Sequence, residues 1–385
     1  MTTETVKGFK DFLGEEARKR ELIRNILIKN FKLYGFEPAE TPIIEYEEFV
    51  KGENQQDEAI SDIFKLQDKG KRNLALRYEF TFQLKRIAQN KKLPYKRYQI
   101  GEVFRDEPVS ANRFRQFTQC DVDTVGSTVK DEAEILALTS EIFSELGIKA
   151  TININSRKLL NEILDKEGIK NKEEVIREID KLDKLEEKEV KNNLKKYKAE
   201  KLIEIFKKPE SYFKKFESYK EIKELKECCG LYGIKVNFQP SLARGLFYYN
   251  GSIFEVKAAQ MKETIAAGGS YIVNGVQSTG ISFGMERISQ LAEIKSGEIR
   301  ILMISIGEDK KAIGIIQELR KQGIESLIMY GKISKALEYA NAYSVPYVLF
   351  LGKQEVKSKK IKLRDMASGK EKLLTLKGIV NIIKK

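Results

Sequence analysis

Three arginines, Arg105, Arg113 and Arg115, fall in one polar stretch, RDEPVSANRFR (105–115), with a single glutamate, Glu107, among them. Guanidinium groups this close together, beside carboxylates, suit a polyanion such as a nucleotide triphosphate with a cationic co-substrate next to it. A salt-bridged surface hairpin would have the same composition. The stretch reads as a loop because the chain alternates on both sides of it. Before it, Tyr98, Ile100 and Phe104 take one face and Arg105 the other. After it, Thr118, Cys120 and Val122 alternate with Phe117, Gln119, Asp121 and Asp123. The second set points an aromatic ring, an amide and two carboxylates in one direction.

Other candidates are scattered along the chain. In NLALRYEFT the apolar Leu74, Leu76, Tyr78 and Phe80 alternate with Arg77, Glu79 and Thr81. Read as a strand, this sets a carboxylate beside a hydroxyl on one face, a pair suited to an ammonium group. In SLARGLFYYNGSIFEV (241–256), Gly245 and Gly251 flank Arg244, Tyr248 and Tyr249. Glycine where backbone nears a ligand, beside a guanidinium and phenols, is binding-site chemistry, although a twisted core hairpin has the same look. STGISFGMERIS (278–289) is a glycine-punctuated strand entering a helix with Arg287 in its first turn. The chain contains no histidine. That excludes His triads, His metal sites and imidazole bases, and leaves carboxylates, Arg, Lys, Tyr or metal-bound phosphate to do the chemistry.

The elements around these residues follow from periodicity. Leu22, Ile23, Ile26, Leu27, Phe31 and Tyr34 form one stripe of a helix over 15–34, and Gly35 stops it. Phe36 to Tyr46 runs extended, with Pro38 and Pro42 barring a central strand position. KGENQQDEAISD (51–62) reads as a mobile polar loop, and IFKLQDKGKR as a hairpin turning at Lys69–Gly70. Ser127 or Thr128 caps a helix to Leu146 with Gly147 as its stop, and strand TININ follows. From 156 to 228 Lys and Glu dominate and apolar residues recur at helical spacing, which predicts a helical insertion with mostly solvated charged faces. From Ile299 onward a β-α-β-α-β order predicts a small, mainly parallel sheet with covering helices.

At 385 residues the chain is expected to hold two or three domains. The net charge is +13, and Ile299–Lys385 carries 18 Lys/Arg against 8 Asp/Glu, or +10 of it. A basic terminal module points to a polyanion, most plainly nucleic acid, with a Lys-rich solvated surface as the plainer account. Cys120, Cys228 and Cys229 fit neither a disulfide framework nor a zinc spacing. No apolar run reaches the ~18 residues of a membrane span. The start, MTTETVKGFKDF, lacks a secretory apolar core, so a cytoplasmic location is expected.

The stretch RYQIGEVFRDEPVSANRFRQFTQCDVDTVG (97–126) resembles motif 2 of class II aminoacyl-tRNA synthetases, in the FRxE…RxRQFxQxDxD form of the histidyl-tRNA synthetases. The helix followed by GFEPAETPIIEY resembles motif 1, which in the family forms a dimer interface. STGISFGMERIS resembles motif 3, and LRYEFT resembles the family's LRPE/YD-type segment. ARGLFYYNG resembles the histidine-type signature RGLDYYTG, with Phe247 in place of its Asp. IAAGGSYIVNGV (265–276) resembles AGGRYDGL, with Ser270 and Ile272 replacing Arg and Asp. Thr118 stands where many relatives have His. The resemblance covers nearly the whole chain apart from the Lys/Glu-rich insertion. It implies an α+β catalytic core with a mainly antiparallel sheet (1–155 and 229–297), a helical insertion (156–228), and a small α/β anticodon-binding domain (298–385).

For the site, the resemblance implies a role at each matching residue. Arg105 and Arg244 are the catalytic candidates, Arg105 binding the α-phosphate and Arg244 stabilising its pentavalent charge. Glu107 meets the adenine amino group, Phe117 stacks on the ring, and Arg113 and Arg287 grip the β- and γ-phosphates, with Mg2+ shared between these phosphates and no protein metal site. Glu79, Thr81 and Gln119 hold the α-amino group of histidine, while Asp123 with Tyr248 or Tyr249 reads the imidazole. ATP, histidine and tRNA(His) are the implied substrates and partners, in a homodimer away from any membrane. Three alternatives stay open: a non-catalytic paralogue such as a regulatory subunit of ATP phosphoribosyltransferase, an accessory nucleic-acid-binding protein on the same fold, and a class IIa synthetase for glycine, proline or threonine. A synthetase without histidine could be translated while its own product is scarce; coding bias explains the same absence.

Overall fold

The computed structural model describes residues 3–51, 62–110, 113–244, 248–294 and 301–384. Gly245 and Phe247 of the aromatic signature, and 52–61 of the expected mobile loop, lie outside the described residues. The chain divides into two compact units, Met1–Lys295 and Ser296–Lys385.

The first unit opens with α1 (Gly14–Leu33), whose Ile23, Leu27 and Phe31 are fully buried as its periodicity requires. Then come β1 (Glu37–Pro38), β2 (Ile44–Tyr46), α2 (Glu47–Lys51), β3 (Lys65–Gln67), β4 (Asn73–Leu76) and α3 (Thr81–Ile87). The long hairpin is β5 (Tyr95–Phe104) and β6 (Gln116–Val125). A capping box between Thr128 and Asp131 starts α4 (Val129–Glu145), and β7 (Ala150–Ser156) follows. The Lys/Glu-rich stretch folds as α5 (Arg157–Lys166), α6 (Lys172–Asp180), a 3-10 turn (Lys181–Asp183), α7 (Glu187–Lys195), α8 (Leu202–Phe206), α9 (Glu210–Phe213) and α10 (Tyr219–Leu231). The chain returns to the sheet with β8 (Asn237–Phe238), β9 (Tyr249–Ala258), β10 (Met261–Val273) and β11 (Val276–Gly284), and closes on α11 (Met285–Leu291).

These strands build an eight-stranded sheet in the order β1-β5-β6-β11-β10-β9-β7-β8. Pairing is antiparallel from β5 to β7 and parallel only at the two ends, β1 with β5 and β7 with β8. A three-stranded sheet, β2-β4-β3, stands apart. One apolar core runs from α1 and α4 under the sheet into α5–α10, so the charged helices of 156–228 bury their apolar stripes in the same core as the eight-stranded sheet.

The second unit is β12 (Ile301–Ser305), α12 (Asp309–Lys321), β13 (Ser326–Tyr330), α13 (Ile333–Ala342), β14 (Tyr347–Leu351), α14 (Lys353–Ser358), β15 (Ile361–Asp365), β16 (Glu371–Leu374) and α15 (Leu376–Ile383). Its sheet order is β13-β12-β14-β15-β16, parallel in the first three strands. The antiparallel pair β15–β16 is an addition to the expected β-α-β-α-β order. Both faces are covered: Ile301 and Met303 pack with α12 and α15, while Leu302 and Ile304 pack with α13. Among the described residues no helix is long and apolar enough to cross a membrane.

Candidate active site

One face of the large sheet carries Phe117, Gln119 and Asp123, and the β5–β6 register shows what stands beside them. Arg97 lies opposite Asp123, Gln99 opposite Asp121, Gly101 opposite Gln119, and Val103 opposite Phe117. The alternate residues Thr118, Cys120 and Val122 are buried, Cys120 and Val122 in the core beneath α1 and α4. Thr118 accepts a hydrogen bond from Arg20 of α1 (2.9 Å), and its N–H donates to Glu286 of α11 (3.1 Å). A hydroxyl thus suffices to tie the elements of the three motifs behind the site.

The acidic end of this face is sealed. Arg97 is 0% exposed and pairs with Asp123 at 2.8 Å, while the Tyr271 hydroxyl donates to the other Asp123 oxygen. Gly280 of β11 makes the approach possible, since a Cβ there would stand 2.1 Å from Asp123 Oδ1. Burial raises the Asp123 carboxyl above the usual range, while Arg97 and the Tyr271 hydroxyl pull it back. Asp121, two residues away, is pushed up to about 7 by burial, with Arg97 opposing and Asp123 reinforcing. Gln119 donates to the Ser282 hydroxyl at 2.8 Å, and that hydroxyl hydrogen-bonds to Asp121. The Gln119 Oε1 is buried with no hydrogen-bond partner among the described residues.

Glu79, Thr81, Tyr248 and Tyr249 gather beside this end. The expected strand through LRYEFT stops at Leu76, and Thr81 instead opens α3. At this point Arg77 turns inward and donates to the Glu102 and Thr41 carbonyls at 2.6 and 2.9 Å. Glu79 and Thr81 therefore do not share a strand face. They still meet at Tyr248, which hydrogen-bonds with Thr81 and feels the Glu79 charge. Tyr249 is pushed up to about 12, chiefly by burial, with Arg244 opposing and Glu79 and Asp123 adding to it. The Tyr248 ring lies 4.8 Å from that of Tyr249 and 5.5 Å from that of Tyr271.

The arginine end is more open. Arg105 lies over the Tyr78 ring at 4.2 Å and the Phe117 ring at 5.1 Å, and its Nε is buried with no hydrogen-bond partner among the described residues. Arg113, half-exposed, pairs with the buried carboxylate of Glu107. Arg287 donates to the Thr264 carbonyl at 2.7 Å, and Arg244 to Glu255 at 3.3 Å. Burial holds the Arg287 guanidinium below the usual arginine range; Glu263 opposes this, and the charges of Arg113, Arg244 and Arg105 add to it. Guanidiniums from three stretches of chain, 105–113, 244 and 287, are therefore close enough for Arg105, Arg113 and Arg244 each to bear on Arg287. Like charges gathered this way suit a polyanion, although Glu107 and Glu255 already pair with Arg113 and Arg244.

Sequence reasoning missed Arg97, Tyr271, Glu255 and Thr264. Arg97 was accessible: a hairpin centred on Ser110 sets residue 97 against residue 123. Tyr271 was hidden within the departures of its own segment. Ser270 faces the other way and donates to the buried Glu132, so its replacement of Arg falls on the helix side of the sheet.

Comparison with known proteins agrees over the full length. The histidyl-tRNA synthetase family model matches residues 8–288 and the anticodon binding domain model residues 298–385. Histidine–tRNA ligase 1 of Bacillus anthracis is 33% identical, with all of both chains covered. A histidyl-tRNA synthetase structure from Nostoc sp. PCC 7120 has TM-score 0.86 at 24% identity, covering 100% of this chain and 99% of that one. One described as an ATP phosphoribosyltransferase regulatory subunit/histidyl-tRNA synthetase from Bacillus halodurans C has TM-score 0.76 at 19% identity, covering 90% of this chain and 97% of that one. The two structures share the fold.

Proposed function

Since the chain belongs to the histidyl-tRNA synthetase family, we propose that it joins histidine to ATP as histidyl-adenylate and passes the acyl group to the terminal ribose of tRNA(His). The observation that carries the reading is that Arg105, Arg113 and Arg244 all bear on the Arg287 guanidinium, in the unit whose β5–β6 hairpin also holds the buried Asp123–Arg97 pair. In-line attack of a carboxylate on an α-phosphate needs alignment and charge neutralisation far more than proton transfer, so a chain without histidine can do it.

Arg105 binds the α-phosphate and Arg244 neutralises the charge that grows on it; Arg113 and Arg287 hold the outer phosphates. Phe117 stacks on adenine, and Glu107 accepts from its amino group. Glu79, Thr81 and Gln119 take the α-ammonium; support comes from the unpartnered Gln119 Oε1. Asp123 reads the imidazole with the tyrosines around it, Tyr248, Tyr249 and Tyr271. A competitor without ring nitrogens would leave these groups unpaired, at a cost of about 1–3 kcal/mol each. Magnesium would be carried on the phosphates, where it would offset their charge.

We assign 1–155 and 229–297 to the catalytic core, 156–228 to an insertion and the basic 298–385 to anticodon binding, in a cytoplasmic homodimer. Support for the dimer is the exposure of Ile43, Ile44 and Tyr46 along the motif 1 strand. The test is exchange of labelled pyrophosphate into ATP. Histidine-dependent exchange, absent with glycine, proline or threonine, is expected; histidine binding without exchange would favour a regulatory paralogue.

A further inference from the structure

Arg244, on the reading that it neutralises the reacting phosphate, must be held in place, and its setting is unusual. Its backbone sits at φ 49°, a left-handed conformation that residues with a side chain seldom adopt. Its Nη1 donates to Glu255 Oε1 at 3.3 Å, and Glu255, on β9, is 1% exposed. The same oxygen accepts from the Thr264 hydroxyl on β10 at 2.5 Å. Because the Thr264 carbonyl also accepts from Arg287, one β10 residue sets two guanidiniums relative to each other.

The other Glu255 oxygen, Oε2, lies 3.3 Å from Lys257 Nζ, and Lys257 in turn donates to Asp183 Oδ1 at 2.7 Å. Asp183 ends the 3-10 turn after α6, inside the stretch expected to be a helical insertion with mostly solvated charged faces. Asp180, at the end of α6, is half-buried; burial raises its carboxyl, and Arg244 is the largest opposing influence. A single buried carboxylate is therefore shared between the guanidinium beside the reacting phosphate and a lysine that the insertion holds. Any shift of the 181–183 turn changes how much of Glu255 is left for Arg244.

We propose that Glu255 is the positioning residue for the Arg244 guanidinium, and that the insertion sets its resting place through the chain Asp183–Lys257–Glu255. The 156–228 segment then acts on amino-acid activation itself; this rests on the role proposed for Arg244.

The test uses the full chain and histidine-dependent pyrophosphate exchange, with thermal melts of every variant. Glu255→Gln keeps the shape and removes the charge; kcat is expected to fall about 100-fold, the scale of a small misplacement of a reacting group, with KM for ATP and histidine within about twofold. Asp183→Asn, at the surface, is expected to lower kcat by up to about fivefold, the scale of an exposed ion pair, again without a change in KM. In an Arg244→Lys background both effects on kcat are expected to vanish, as coupled residues require and a merely structural role does not. The proposal is overturned if Asp183→Asn leaves kcat unchanged, or if Glu255→Gln costs as much with Lys at 244 as with Arg. Should Glu255→Gln fail to fold, Asp183→Asn in the two backgrounds decides. Arg244→Ala is measured alongside: full exchange in that variant would overturn the role of Arg244 itself, whereas its loss beside an unaffected Asp183→Asn would overturn the positioning chain alone.

Discussion

The two ends of the cleft are built on opposite principles. At the acidic end Arg97, Asp121, Asp123 and Tyr271 are all less than a tenth exposed, and Arg97 and Tyr271 both hold Asp123. At the other end Arg113 is half-exposed and paired with Glu107, and Arg244 leans on a carboxylate at 3.3 Å. On the proposed assignment the difference separates discrimination from affinity. Buried polar groups would penalise a wrong occupant by being left unpaired, whereas open guanidiniums would attract any polyphosphate and be screened by salt.

The comparison can be broken most sharply at the sealed end. Asp123→Ala is expected to abolish histidine-dependent pyrophosphate exchange while ATP binding, measured directly, is retained; unimpaired exchange would end the assignment of that residue. Arg105→Ala acts at the open end and is expected to lower kcat about 100- to 1,000-fold, as loss of one transition-state charge partner does. Arg113→Ala, further out, is expected to raise KM for ATP about tenfold, the scale of one charge-assisted hydrogen bond, and to weaken its dependence on ionic strength.

The smallest effect concerns pH. Asp121 holds its proton up to about 7 in the folded chain, above the unfolded carboxylate. The folded state therefore binds more protons than the unfolded one between the ordinary carboxylate range and neutrality. The contribution is fully present below that range and is lost as pH rises through about 7. Asp123 and Glu132 shift in the same direction. Melting temperatures taken between about pH 4 and pH 8 are expected to fall with rising pH from these groups, and Asp121→Asn to flatten the slope.

Where local periodicity and burial agree, the elements were legible. The stripe of α1, the capped α4 and the alternation of β5 and β6 each follow from spacing alone, because one face must be apolar. LRYEFT misled because its alternation continues past Leu76, where the strand ends and Thr81 opens α3, while Arg77 bonds to carbonyls 25 and 36 residues away. The β15–β16 hairpin was overlooked within Lys-rich sequence, although Ile361 and Leu363 alternate with Lys362 and Arg364. Within the site, Phe117, Gln119 and Asp123 were legible because a single strand presents them. Glu255 and Thr264 were not, since their meaning depends on Arg244 and Arg287 arriving from elsewhere in the chain.

The buried group of Asp123, Arg97 and Tyr271, proposed to read the imidazole, belongs to a polypeptide with no histidine of its own. In a stoichiometric complex with the free amino acid, every imidazole resonance would therefore come from the ligand. Nuclear magnetic resonance could then report the tautomer and charge of the bound ring against a silent protein background. The selectivity of the acidic cleft would become observable on the very atoms it selects.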